Sequence, residues 1–265
     1  MRYVRILALH IQDVFKNRGR SFVYFLMGLL NPILQLVFWS GAIAEGGGNG
    51  ALWTFREMAS YYLLVTVVIS FLVVHIEEDV AFLDIKEGLL AKYLLRPFSY
   101  FISKFMEELP WRMTHGFFAV VVFVAFMMWA RISFPLVGEP TRIALAVVIT
   151  VGGLFISFIL KMLFGLLALW TTDFWGIWGV EEVVFWLLAG IIMPLSYYPS
   201  ALAAVAYALP FSYIVYFPVI AVQGSLADIE MIRVIGSQLI WILALSMLYR
   251  IVWKKGIEKF TAVGQ

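Results

Sequence analysis

The chain has 265 residues, 63% of them hydrophobic and 14% charged, with 19 Lys and Arg against 17 Asp and Glu for a formal net charge of +2. Soluble domains run near half apolar and a quarter charged, so a water-soluble fold is excluded for want of polar surface. The lack of cysteine excludes disulfides, thiolate metal sites and cysteine nucleophiles within the chain. The apolar residues fall in blocks that meet the roughly 20 helical residues needed to cross a ~30 Å hydrocarbon core. The expected fold class is therefore an all-α polytopic membrane protein, a single transmembrane domain over 1–265.

Residues 1–20 carry Arg2, Arg5, Lys16, Arg18 and Arg20, with no short apolar core or small-residue cleavage site, which is not the pattern of a secretory signal. Within them Val4, Leu7, Ala8, Ile11, Val14 and Phe15 recur at helical spacing. This predicts an amphipathic interface helix on the cytoplasmic leaflet; the alternative is an ordinary helix packed on protein. A first span is expected over 21–44, kinked at Asn31-Pro32, then a turn at Gly46-Gly47-Gly48-Asn49-Gly50. A second is expected over 58–76, followed by the longest polar segment, 77–112. The third span is placed at 113–132, and a loop with Pro135, Gly138 and Pro140 leads to a fourth at 143–170, long enough to tilt. A tight turn at Thr171-Thr172-Asp173 precedes the fifth, 175–194. The sixth is 231–252, with a basic tail beyond it.

The segment 198–224 decides the topology. It is apolar enough for a seventh span, but Pro199, Pro210 and Pro218 divide it. The piece between the first two prolines is about 10 residues, or ~15 Å of helix, half a membrane. Six spans with both termini cytoplasmic put 14 Lys and Arg inside and 4 outside, with Lys161 inside a span, as the positive-inside rule demands. The segment is therefore expected to be a re-entrant helical hairpin on the outer side, shielded by protein or wet.

Signals for catalysis are absent from the sequence. It has no G-x-x-x-x-G-K-[ST] phosphate loop and no H-E-x-x-H, and His10, His75 and His115 are scattered. Ser237 and Ser246 have no histidine in their helix to activate them. The charges deepest in the spans are Lys161, Glu181 and Glu182. Counted from Thr172, Lys161 lies 11 residues back and Glu182 lies 10 forward, so antiparallel helices would bring Lys161 level with Glu181 or Glu182. Such a pair is a structural salt bridge or a polar lining of a substrate path. Trp170, Phe174, Trp175, Trp178, Phe185 and Trp186 form an expected interfacial belt. Tyr197, Tyr198, Tyr207, Tyr213 and Tyr216 are expected membrane anchors or an outer gate.

Between spans two and three, Leu89, Leu90, Tyr93 and Leu94 make a short amphipathic face, closed by Arg96-Pro97 because the residue before proline is pushed out of the helical region. The run Glu87-Gly88-Leu89 through Tyr93-Leu94-Leu95-Arg96-Pro97 resembles the "G-x-L … L-L-x-P" stretch of ABC-2-type transporter permeases. A second match comprises Gly190-Ile191-Ile192-Met193-Pro194-Leu195, Tyr198-Pro199, Leu209-Pro210-Phe211-Ser212-Tyr213, Tyr216-Phe217-Pro218 and Gly224. The resemblance implies half of a bacterial ATP-driven exporter in the cytoplasmic membrane. It implies pairing with a second permease, as homodimer or heterodimer, and docking of an ATP-binding cassette subunit on a coupling element over Asp84–Pro97. The residues it singles out there are Asp84, Glu87, Gly88, Leu90, Tyr93, Leu94, Leu95, Arg96 and Pro97. ATP and Mg would be bound by that partner, with no cofactor and no catalysis in this chain. Pro199, Pro210, Tyr213 and Pro218 would shape the outer hairpin. The competing readings are a stand-alone secondary transporter using Lys161, Glu181 and Glu182 for ion coupling, and a membrane enzyme or scaffold.

Overall fold

The computed structural model describes residues 2–16, 19, 23, 26, 30–45, 53–130 and 136–260. Among them every regular element is a helix. In chain order these are α1 (Arg2–Lys16), α2 (Leu30–Glu45), α3 (Phe55–Leu72), α4 (Ile76–Glu78) running into a π-helical stretch Asp79–Lys86, and α5 (Leu90–Leu94). They continue with α6 (Tyr100–Ala130), α7 (Pro140–Leu166), α8 (Phe174–Leu188), α9 (Ser200–Ala208), α10 (Tyr216–Val222) and α11 (Asp228–Ile257).

Four helical stretches among the described residues are long and apolar enough to cross a membrane: Phe55–Lys86, Tyr100–Met128, Pro140–Leu169 and Asp228–Ile257. A fifth exists if the bent pair Ser200–Ala208 and Pro210–Val222, which turns through 69°, is one span. The expected first span lies partly outside the described residues, as does the glycine turn at 46–50; its described part is α2. Asn31 and Pro32 lie within it, next to residues outside the described ones. The expected fifth span, 175–194, is helical only over the 15 residues of α8, about 22 Å at 1.5 Å per residue.

Helix α7 is the hub. α11 lies along it, and α3, α4 and α10 cross it, while α6 packs on α1 and α3. Pro140 sits at the start of α7, pre-set for a helix entry, and Asp173 caps α8 by accepting from the Gly176 N–H at 3.3 Å.

Two interruptions within apolar surroundings are repaired by side chains. Between α3 and α4 the chain is non-helical at Val73–His75. The freed Val74 N–H donates to Ser157 Oγ on α7 at 3.2 Å, and Val73 C=O accepts from the Arg112 guanidinium on α6. After α8 the chain turns at Gly190, φ +78°, and the terminal carbonyls are met by tyrosines. Tyr61 OH donates to Gly190 O at 2.7 Å, Tyr62 OH to Ile192 O at 2.9 Å and Tyr198 OH to Leu187 O at 2.7 Å. A helix end has four carbonyls without intrahelical partners, and none can stay bare in hydrocarbon. Of the last carbonyls of α8, Phe185 O and Trp186 O accept from the Ala189 and Ile191 N–H groups and Leu187 O from Tyr198, while Tyr61 and Tyr62 satisfy carbonyls of the turn beyond the helix.

Candidate coupling site and its buried supports

The stretch read as the longest polar segment, 77–112, buries several of its charges in the bundle. Glu77, Asp84, Lys104 and Arg112 are all buried, because α4 continues through the π-helical stretch and α6 begins at Tyr100, 13 residues before the expected start of span three. The π register shows in Glu87 N–H donating to Phe82 O at 3.0 Å, five residues back. π-helical segments carry an inserted residue and gather at functional sites. Gly88 then takes φ +80°, a conformation that costs a side-chain-bearing residue roughly 1–2 kcal/mol. It turns the chain from the π-helical stretch into α5.

That turn sorts the residues of the motif into two sets. Leu90 is 0% exposed, and Asp84 and the lower part of Tyr93 face the bundle. Leu94 is 43% and Leu95 87% exposed, and Glu87, Arg96 and Pro97 are exposed beside them. The expected apolar face of Leu89, Leu90, Tyr93 and Leu94 is not buried evenly: Leu90 is covered, Tyr93 is half-buried, and Leu89 and Leu94 are largely exposed.

The inner set is wired into three other helices. The Asp84 carboxylate accepts from Tyr100 OH at 2.7 Å and pairs with Lys104 Nζ at 2.7 Å. Lys104 also lies 3.2 Å from Glu107, which accepts from Tyr93 OH at 2.8 Å and stands 3.8 Å from His10 of α1. Burial pushes the Tyr93 hydroxyl up from its ordinary value, so it remains a neutral donor to Glu107. The Tyr93 ring meets Tyr100 edge-on at 5.2 Å, and Tyr100 stacks on Trp253 of α11 at 4.9 Å. A displacement of α5 is therefore felt by α1, α6 and α11 together. Truncating one partner of such a buried ionic set costs ~3–5 kcal/mol.

A second buried set lies deeper. Lys161 Nζ is 2.8 Å from both Glu77 Oε1 of α4 and Glu181 Oε2 of α8. Lys161 is 1% and Glu77 0% exposed. Of the two expected partners the structure selects Glu181; Glu182 instead accepts from Trp186 Nε1 at 3.1 Å. Glu77 is the partner that sequence reasoning missed. It is 84 residues from Lys161, so no helix count reaches it. The signal that could have found it is Gly165, one turn beyond Lys161. A Cβ there would meet Val80 Cβ at 2.7 Å and Glu77 O at 2.9 Å, so the bare backbone of α7 is what admits α4 so closely.

The other expectations divide. In α1, Val14 is buried and His10 reaches Glu107, while Leu9 and Ile11 remain exposed. The helix packs on α6 and keeps apolar side chains outward. Trp170 and Trp175 are exposed, as a belt requires, but Phe174 and Phe185 are core. The tyrosines expected as anchors are mostly internal. Tyr198, Tyr213 and Tyr216 are buried, Tyr213 OH donates to Tyr207 O at 3.1 Å, and Tyr197 OH accepts from Trp53 N–H at 2.9 Å. Of the residues expected to shape the hairpin, Pro199 precedes α9, Pro210 stands at the 69° bend and Pro218 is buried within α10. Among the described residues no cluster of three His, Asp or Glu is placed to hold a metal.

A family model described as "ABC-2 family transporter protein" matches residues 29–264. Comparison with curated proteins gives no significant match.

Proposed function

Because the chain belongs to the ABC-2 transporter family, a family of multi-pass membrane transport components, we propose that it is the permease subunit of an ATP-driven exporter in a bacterial cytoplasmic membrane. In this reading it forms half of the translocation pathway with a second permease, alike or related. A separate ATP-binding cassette subunit binds ATP and Mg and grips α5. The protein then has six spans, with α2 and α8 as the first and fifth, and α9–α10 as an outer re-entrant hairpin. Both termini are cytoplasmic, and α1 is the interface helix.

The observation that carries the proposal is the division of α5. Leu94 and Leu95 offer apolar surface outward, next to Glu87, Arg96 and Pro97, while Asp84, Leu90 and Tyr93 root the same segment in the spans. Packed elements with such roots move as bodies. Work done on the outer leucines would thus reach α6, α11 and the π-helical stretch.

Two experiments test it. Leu95→Asp, with Leu94→Asp as a second variant, is expected to abolish co-purification of the ATP-binding subunit while the permease still inserts; retained co-purification would remove the docking assignment. The topology is read by a single cysteine. The chain has none of its own, so Arg96→Cys gives one label site, expected to react with an impermeant maleimide only from the cytoplasmic side. Reaction only from outside would overturn the six-span topology. The ion-coupled reading loses ground on the geometry. Lys161 and Glu181 are closed into a triad with Glu77, away from solvent.

A further inference from the structure

At the start of the coupling segment, where the π-helical stretch ends, lies a cavity of about 190 Å³ to which no role has been given above. Its walls come from three places in the chain. Ile85 and Lys86 end the π-helical stretch, Ala168 to Thr172 form the turn after α7, and Lys259 and Phe260 follow α11. We propose that this pocket binds the phosphate headgroup of an anionic phospholipid, clamping the coupling segment to the last helix.

Three observations support it. First, two ammonium groups far apart in sequence are brought to one cavity. Among the described residues, neither Lys86 nor Lys259 has a carboxylate within ion-pair distance. Lys86 Nζ is held by Thr172 O at 2.6 Å, which leaves further N–H donors of its three for an anion. Second, the remaining wall is mixed, with Ile85, Ala168, Leu169 and Phe260 on its apolar part and Thr171 and Thr172 beside them. The apolar part suits the acyl chains that continue a headgroup, and the threonine hydroxyls can donate to its phosphate. Third, the cavity lies at the level of the exposed aromatics. Lys259 Nζ is 6.0 Å from the Trp170 ring, and Trp170 and Trp175 are exposed, as tryptophans are where a bilayer meets water. Basic pockets between spans at this level suit anionic headgroups. The acids on the same elements are otherwise placed: Asp173 caps α8, and Glu87 and Glu258 are exposed.

The placement of this pocket in the cytoplasmic leaflet rests on the topology proposed above; its binding chemistry does not. The test is thermal unfolding of the purified full chain in neutral detergent, with added phosphatidylglycerol, phosphatidylcholine or millimolar inorganic phosphate. Phosphatidylglycerol is expected to raise the midpoint and phosphatidylcholine to leave it unchanged. In Lys86→Gln the apparent lipid affinity falls about fivefold, and in the double variant with Lys259→Gln about 25-fold. The charge-preserving pair Lys86→Arg and Lys259→Arg keeps the shift. An equal shift with inorganic phosphate would make this a soluble-anion site and overturn the lipid assignment. So would a full shift in the double Gln variant, its loss in the Arg pair, or an equal loss on changing Lys254 and Lys255 to Gln, which would mean diffuse charge rather than a pocket. Since the shift is read in detergent without an ATPase, its failure is separate from a failure of the exporter reading.

Discussion

The helical stretch from Phe55 to Lys86 passes through two kinds of fastening. Near its start Tyr61 and Tyr62 donate to the carbonyls of Gly190 and Ile192, and Trp39 Nε1 donates to Tyr62 OH at 2.8 Å, so neutral hydroxyls join α2, α3 and the end of α8. Near its finish Glu77 and Asp84 are held by Lys161 and Lys104, so α4 and the π-helical stretch are joined to α6, α7 and α8 by ions. The two chemistries differ in what happens when a partner is lost. A neutral carbonyl left bare costs the desolvation of one dipole, whereas a carboxylate left bare costs that of a charge. The ionic end is thus the more sharply two-state: it is made or broken as a unit, which suits a region that must transmit a discrete movement. The tyrosine end holds backbone in place and tolerates loss one bond at a time.

Variants at the two ends would break or sharpen this contrast. The largest effect is expected for Lys161→Met, which strands Glu77 and Glu181 together in the interior. A loss of ~3–5 kcal/mol follows, seen as a large fall in unfolding midpoint or in yield of folded protein. Adding Glu77→Gln and Glu181→Gln to it should recover most of the loss. If the triple variant is no better than the single one, the charges are not what is at stake. Tyr61→Phe leaves the Gly190 carbonyl buried without its donor and should cost ~1–3 kcal/mol, read by the same unfolding measurement. A value as large as that for Lys161→Met would erase the contrast between the ends. Gly88→Ala should cost ~1–2 kcal/mol through its positive φ, and should weaken ATPase co-purification more than its stability loss alone explains. A stability effect no larger than that of Gly88→Ala is expected for Tyr93→Phe. It removes one bond to a carboxylate that keeps Lys104, so ~1–2 kcal/mol. Its signature is functional: the ATP-binding subunit still co-purifies, but its stimulation by the permease falls.

How much of this was legible in the sequence depends on the range of the interaction. The hydrophobic blocks at α3, α6, α7 and α11 declare themselves by composition, since lipid demands length and apolarity of each helix separately. The Lys161–Glu181 pair was within reach because a tight turn fixes the relative depth of the helices it joins. Glu77 was out of reach, since its approach depends on a missing Cβ at Gly165 on a helix far along the chain. The π register over Asp79–Lys86 leaves no mark on hydrophobic spacing, and how deeply Leu89, Leu90, Tyr93 and Leu94 are each covered depends on helices far along the chain. The tyrosine bonds were illegible for another reason. Their acceptors are carbonyls, which every residue carries, and an aromatic at a span end reads equally as an anchor.

One further consequence follows from Leu95, which stands 87% exposed at the tip of α5. A copy made in excess of its mates would display that hydrocarbon to the aqueous compartment, where chaperones and proteases survey for such residues. In the reading proposed above, the same side chain that invites assembly marks the orphan for disposal, and balanced synthesis of the subunits becomes a condition for accumulating this one.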